Sequence, residues 1–181
     1  MMRIITGSAR GTKLETLDGD ATRPTSERVK EAVFSMIQFE IEGRKVLDLF
    51  GGSGQLALEA LSRGAESACI CDSSADAVKI IKENAKKTHL FEKCVILNTE
   101  AVRMIKNSKE KFDIIFLDPP YASDLAAQAL ELLAERDMIG ELVICETAAP
   151  LENIPAELTV RREARYSKTY ITVLEKESDE E

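Results

Sequence analysis

The chain contains no tryptophan, a single histidine and only 5% aromatic residues. His89 lies in a polar connection between a helical pattern and a strand pattern, so it reads as a solvated loop residue. No Ser/His/Asp arrangement and no zinc site can be built around it, which sets aside those hydrolytic chemistries and predicts no metal. The four cysteines, Cys69, Cys71, Cys94 and Cys145, show neither a CxxC pair nor a Cys/His ligand spacing. Each falls in a predicted strand, where cysteine acts as a small buried hydrophobe; reduced thiols and a cytoplasmic location are expected. No apolar run reaches the ~20 residues that span a bilayer, and no signal-peptide core is present. Basic charge is also in short supply: 24 Lys and Arg against 32 Asp and Glu give a net charge of −8. That argues against non-specific binding to bare nucleic acid, which needs cations to displace counterions from phosphates.

What remains is an ordinary globular composition, 44% apolar over 181 residues, enough for one domain with a sizeable core. The charge is unevenly spread. Residues 1–30 carry Arg3, Arg10, Lys13, Arg23, Arg28 and Lys30 against four acids, whereas residues 176–181 form an acidic tail expected to be disordered. If the protein touches nucleic acid, the basic N-terminal segment is the expected face. Charge alone equally allows Arg23, Arg28 and Lys30 to be a solvated helix face.

The most informative stretch is Phe112 to Tyr121. Phe112 to Leu117 is a compact apolar run of strand length, rich in β-formers, and reads as a buried strand. It stops at Asp118-Pro119-Pro120, because proline cannot donate to a ladder and restricts the residue before it. The stop places a carboxylate, two stiffly held carbonyls and the aromatic face of Tyr121 at the carboxyl end of a central strand, where open α/β sheets bind ligands. An acceptor-rich cluster beside a flat ring suits a planar group bearing an NH2.

Around it the chain alternates. Met2 to Ile5 and Thr12 to Leu14 predict a small hairpin across Gly7 to Gly11. A helix follows over about 26–38, with Val29, Ala32, Val33, Met36 and Ile37 at helical spacing. Val46 to Phe50 is a buried strand closed by Gly51-Gly52-Ser53-Gly54, and a helix runs from there to Arg63-Gly64. Strand, glycine turn and helix is the order that holds adenine-bearing cofactors at a helix N-terminus. No Gly-x-Gly-x-x-Gly occurs, however, and no pyrophosphate signature. Asp72 closes the next strand and can accept from ribose hydroxyls. After a helix over about 74–87 and a strand over Cys94 to Leu97, Glu100 and Ala101 open a third strand-to-helix edge. There a side chain and a backbone N–H could meet an adenine ring, although Glu100 equally suits a first-turn helix acid. The helix after Ser123-Asp124 points Leu125, Ala129, Leu132 and Leu133 inward. A strand over Leu142 to Glu146 and a hairpin of Leu158 to Tyr166 with Thr169 to Leu174 complete the chain. Five β/α alternations and a closing hairpin predict a doubly wound α/β sheet with one reversed strand.

Asp-Pro-Pro-Tyr resembles the catalytic motif of amino methyltransferases, and the architecture resembles the Rossmann-like S-adenosylmethionine-dependent methyltransferase fold. That fold implies a seven-stranded mixed sheet ordered 3-2-1-4-5-7-6. Three further stretches narrow the resemblance. Arg23 to Phe34 looks like an RPT-x-x-R-V-R/K-E-A-x-F signature. Val46 to Gly54 resembles VLDLFAGSG, and Glu59 to Ala65 resembles EALSRGA. With FDIIFLDPPY over Phe112 to Tyr121, the chain resembles the 16S rRNA (guanine966-N2) methyltransferases of the RsmD group from Met2 to about Glu175. Gly51 and Gln55 replace alanines of that pattern, Ala57 replaces a glycine, and Asp72 stands where glutamate is more frequent.

The resemblance implies S-adenosyl-L-methionine as cofactor, shaped by Asp48, Phe50, Gly52, Ser53, Gly54, Asp72, Glu100 and Ala101. It implies that Asp118, Pro119 and Tyr121 hold the target amine, and that Arg10, Arg23 and Arg28 position RNA. The expected partner is 16S rRNA within the small ribosomal subunit, where ribosomal proteins could supply docking surface that an acidic chain lacks. A single domain is expected, with residues 1–24 as a basic hairpin extension, 25–175 as the catalytic fold and 176–181 as the tail. Two alternatives stay open: a DNA adenine-N6 methyltransferase, disfavoured by the lack of a target-recognition domain, and a non-catalytic nucleotide-binding or assembly protein on the same fold.

Overall fold

The computed structural model describes residues 2–17, 26–120 and 123–178. Its elements run α1 (Ser26–Met36), β1 (Lys45–Asp48), α2 (Gln55–Ser62), β2 (Ser67–Asp72), α3 (Ala75–Lys87), β3 (Cys94–Asn98), α4 (Ala101–Asn107), β4 (Phe112–Leu117), α5 (Leu125–Glu135), β5 (Ile139–Thr147), β6 (Leu158–Tyr166) and β7 (Thr169–Lys176). The strands form one sheet in the order β3-β2-β1-β4-β5-β7-β6. The first five pair in parallel and β7 runs antiparallel to both neighbours. The chain's pattern predicted a doubly wound sheet with one reversed strand, and the order is the one that the resemblance to the methyltransferase fold implied.

The central strands are apolar on both faces because both faces are covered. One face packs Val46, Ile70, Ile114 and Phe116 against α1, α2, α3 and the N-terminal hairpin. The other packs Leu47, Cys71, Ile115 and Val143 against α4 and α5. Each fully buried aliphatic side chain contributes roughly 1.5–3 kcal/mol. Cys69, Cys71 and Cys145 are buried as expected, but Cys94 is only half-buried, since β3 is the sheet edge.

Two helices bury faces shifted from those predicted, keeping Val29, Val33 and Ile37 in the first and Ala129 and Leu133 in the second. In α1 the buried stripe is Val29, Lys30, Val33 and Phe34, continued by Ile37 just past its end; Ala32 and Met36 are only partly covered. The helix is turned by Phe34, whose ring packs on Phe116 at a centroid distance of 5.8 Å and lies under the Arg63 guanidinium. In α5, Ala126, Ala129, Leu130 and Leu133 are buried, while Leu125 and Leu132 are not fully so.

The predicted N-terminal hairpin exists as a single antiparallel bridge, Arg3 with Lys13. Two buried polar side chains of α2 dock it. The Glu59 carboxylate accepts the Ile5 N–H at 3.0 Å from both oxygens. Ser62 accepts from the Ala9 N–H and donates to the Thr6 carbonyl. The hairpin thereby becomes a wall of the crevice described next. Among the described residues, no helix is long and apolar enough to cross a membrane.

Candidate active site

β1 pairs in parallel with β2 on one side and β4 on the other, with Asp48 opposite Ile70 and Phe116. The loops leaving β1, β2 and β4 therefore open on one edge. A cavity of about 1020 Å³ lies there. Its wall includes Gly51, Gly52 and Ser53 after β1, Asp72 and Ser73 at the end of β2, Glu100 and Ala101 at the start of α4, and Asp118, Pro119 and Pro120 after β4. Four sequence-remote segments are brought together, as a sheet edge at a switch point requires.

The glycine loop is fixed by its own backbone. The Gly51 N–H donates to the Cys71 carbonyl at 2.7 Å, and the Gly54 N–H to the Gly51 carbonyl at 2.8 Å. Gly52 and Gly54 adopt φ of +59° and +82°, where a side chain is strained. Space around Gly52 is open for 4 Å, so a ligand can approach its backbone closely. Gly51 is constrained differently. A Cβ there would lie 2.6 Å from Ile70 Cγ2 and 2.9 Å from Ile81 Cδ1, so glycine in place of the resembled alanine accommodates two bulky neighbours. Gln55 lines the cavity, and its Oε1 is buried without a hydrogen-bond partner.

Asp72 is held by two backbone donors: Gly52 N–H to Oδ2 and Ser74 N–H to Oδ1, both at 2.9 Å. A carboxylate has about four lone-pair sites, so acceptor capacity remains for ribose hydroxyls. Glu100 is the N-cap of α4 but makes no side-chain cap bond, and it stays exposed on the cavity wall. Phe50 lines the cavity as well, whereas Asp48 and Gly54 lie outside its wall. Asp48 is 1% exposed, accepts the Phe50 N–H through Oδ1 at 3.3 Å, and leaves Oδ2 without a partner. Burial pushes its carboxyl up to about 7, with Asp72 adding to the shift and the Phe50 N–H opposing it.

Asp118, Pro119 and Pro120 also border a smaller pocket of about 30 Å³, shared with Ser123, Glu146, Thr147, Ala148 and Thr169. Tyr121 and Arg23 lie outside the described residues. Arg10 and Arg28 are exposed and do not line the cavity.

The structure adds wall residues that sequence reasoning missed: Lys30, Glu146 and Lys168, with Met2 and Leu17 from the N-terminal segment. Lys30 is 2% exposed and its Nζ donates to the Arg3 carbonyl at 2.6 Å. Burial holds its ammonium below the usual lysine range. Its spacing four residues before Phe34 was the available signal. Glu146 and Lys168 carried none, because strand-end acids and turn lysines are usually solvated.

The cavity fits the cofactor that the motifs imply. It offers an open backbone approach at Gly52, an oriented carboxylate at Asp72, and a volume at the upper end of small-molecule sites, enough for a nucleoside cofactor and a base. Among the described residues no group of three or more His, Cys, Asp or Glu could hold a metal ion.

Comparison with known proteins agrees. The family described as Conserved hypothetical protein 95 matches residues 2–175. The Bacillus subtilis protein YlbH is 34% identical over 97% of this chain and 99% of its own length. Ribosomal RNA small subunit methyltransferase D of Escherichia coli is 32% identical over 90% of this chain and 83% of its own. The solved structure of Escherichia coli yhhF superposes with a TM-score of 0.88 at 30% identity, covering 97% of this chain and 98% of that one. The chain belongs to the RsmD family of rRNA methyltransferases.

Proposed function

We propose that this chain transfers a methyl group from S-adenosyl-L-methionine to the exocyclic N2 amine of a guanine in small-subunit (16S) rRNA, on an assembled ribosomal particle. The observation that carries the reading is one cavity walled by the glycine loop, Asp72 and Asp118-Pro119. A relative named ribosomal RNA small subunit methyltransferase D supports the choice of RNA. The net charge of −8 supports a particle over bare RNA as substrate, since naked phosphate binding needs cations.

When bound, the cofactor supplies a methyl already activated on a sulfonium. An exocyclic amine is a weak nucleophile because its lone pair is delocalised into the ring. The protein's task is to align nitrogen, methyl carbon and sulfur and to exclude water. Asp118 and the Pro119 carbonyl accept the two N–H groups of the amine. That favours a pyramidal nitrogen with its lone pair toward the methyl, and the Asp118 carboxylate stabilises positive charge developing on nitrogen. Tyr121 stacks on the base once it leaves its helix or loop. Arg10, Arg23 and Arg28 position RNA phosphates.

The test is transfer of labelled methyl to small ribosomal subunits lacking the modification, beside purified rRNA, DNA and protein, with the labelled nucleoside identified. N2-methylguanosine from subunits is the expected product. N6-methyladenosine from DNA would overturn the reading in favour of a DNA adenine methyltransferase, and cofactor binding without turnover would point to a non-catalytic role.

A further inference from the structure

We infer that Glu146 and Lys168 read the Watson–Crick edge of the target base beside Asp118, and that this pair selects guanine over the other amine-bearing bases. The inference rests on the guanine reading above and adds to it which residues make the choice. In the β4–β5 ladder Leu117 pairs with Cys145, so the residues that follow, Asp118 and Glu146, stand at neighbouring strand ends. Adjacent strands lie about 4.8 Å apart. Both acids line the large cavity and the small pocket that adjoins it. In the antiparallel β5–β7 ladder Glu146 lies opposite Ile171 and Thr147 opposite Tyr170. The β6–β7 turn therefore reaches past the end of β5, and its Ser167 and Lys168 join the cavity wall. The wall of one cavity thus carries two carboxylates and an ammonium.

A guanine edge presents the N2 amine, then the N1–H donor, then the O6 acceptor. Asp118 accepts from N2, Glu146 accepts from N1–H, and Lys168 donates to O6. Adenine and cytosine offer an amine too, but a ring lone pair stands next to it. Against Glu146 that lone pair meets a carboxylate, leaving two acceptors facing each other in a desolvated site, which is heavily penalised. Asp118 alone accepts any of the three amines; the second acid and the lysine discriminate among them.

The experiment uses small subunits reconstituted with guanine or 2-aminopurine at the methylated position. 2-Aminopurine keeps the N2 amine but presents a lone pair at N1 and no O6. Wild type, Glu146→Gln and Lys168→Met are compared by kcat/KM, with S-adenosylhomocysteine affinity as a check on the fold. Wild type should favour guanine by about a hundredfold or more. Glu146→Gln, whose amide can donate to N1, should narrow that ratio about tenfold, and Lys168→Met should slow guanine about tenfold while sparing 2-aminopurine. S-adenosylhomocysteine affinity should stay within about twofold in both variants. An unchanged ratio in Glu146→Gln, or equal loss on both substrates, overturns the inference while leaving the methylation reading intact. Absence of transfer to guanine by the wild type overturns that reading instead.

Discussion

The backbone N–H of Gly52 donates to Oδ2 of Asp72 at 2.9 Å, tying the turn after β1 to the acid that ends β2. The other oxygen of Asp72 takes the Ser74 N–H, so the carboxylate is oriented before any ligand arrives. Asp72→Ala removes both the proposed ribose acceptor and the brace on the glycine turn. Affinity for S-adenosylhomocysteine, measured by calorimetric titration, should fall about tenfold to a hundredfold. Unchanged affinity would show that the ribose is held elsewhere.

Asp118 should separate chemistry from cofactor binding. Asp118→Ala is expected to lower methyl transfer to subunits by about a hundredfold or more. Cofactor affinity should change by less than about threefold. Equal losses in both would sink the assignment of Asp118 to the target amine.

Asp48 gives the cofactor-free protein a pH signature. Its folded pKa of about 7 lies above the ordinary 3.8, so the native state binds more protons than the unfolded state between those values. This group's contribution to stability is therefore fully present below about pH 4 and is lost as pH rises through 7. Asp48→Asn keeps the acceptor for the Phe50 N–H and removes the buried charge. Denaturant titrations from pH 5 to 8 should show the variant gaining relative to wild type as pH rises, by about 2.5 kcal/mol across that range. A constant difference across that range would refute burial as the cause.

Glu59 holds the N-terminal hairpin onto α2. It is fully buried, accepts the Ile5 N–H and pairs with Arg63 at 3.3 Å. Glu59→Ala leaves a backbone donor and a guanidinium without their partner and should cost about 3 kcal/mol. Hydrogen exchange should show the Ile5 amide losing protection before the amides of β4 do. Protection that persists at Ile5 would mean that the hairpin docks by apolar contact alone.

Much of this protein could be read locally. The Phe112–Leu117 strand was legible to the residue because an apolar run meets two prolines, and proline ends a strand wherever it sits. The glycine turn after β1 was legible for a similar reason, since φ of +59° and +82° leaves few residues besides glycine. The face of α1 was legible only in part. Val29, Ala32, Val33, Met36 and Ile37 satisfy helical periodicity, yet Phe34 fills the space against Phe116 and rotates the helix, carrying Lys30 into the cavity wall. Periodicity fixes the spacing of a stripe, whereas the partner surface fixes which stripe is buried.

The sequence by itself determined the order of elements, the class of sheet and the two motifs at its carboxyl edge, because each is written in contiguous residues whose backbone preferences are local. Tertiary structure alone decided that Asp48 is buried outside the cavity wall with an unpartnered oxygen, that Lys30 is buried, and that Glu146 and Lys168 line the same cavity as Asp118. Those facts depend on strand register and helix rotation, which arise from packing between segments up to about a hundred residues apart and leave no mark on any single stretch.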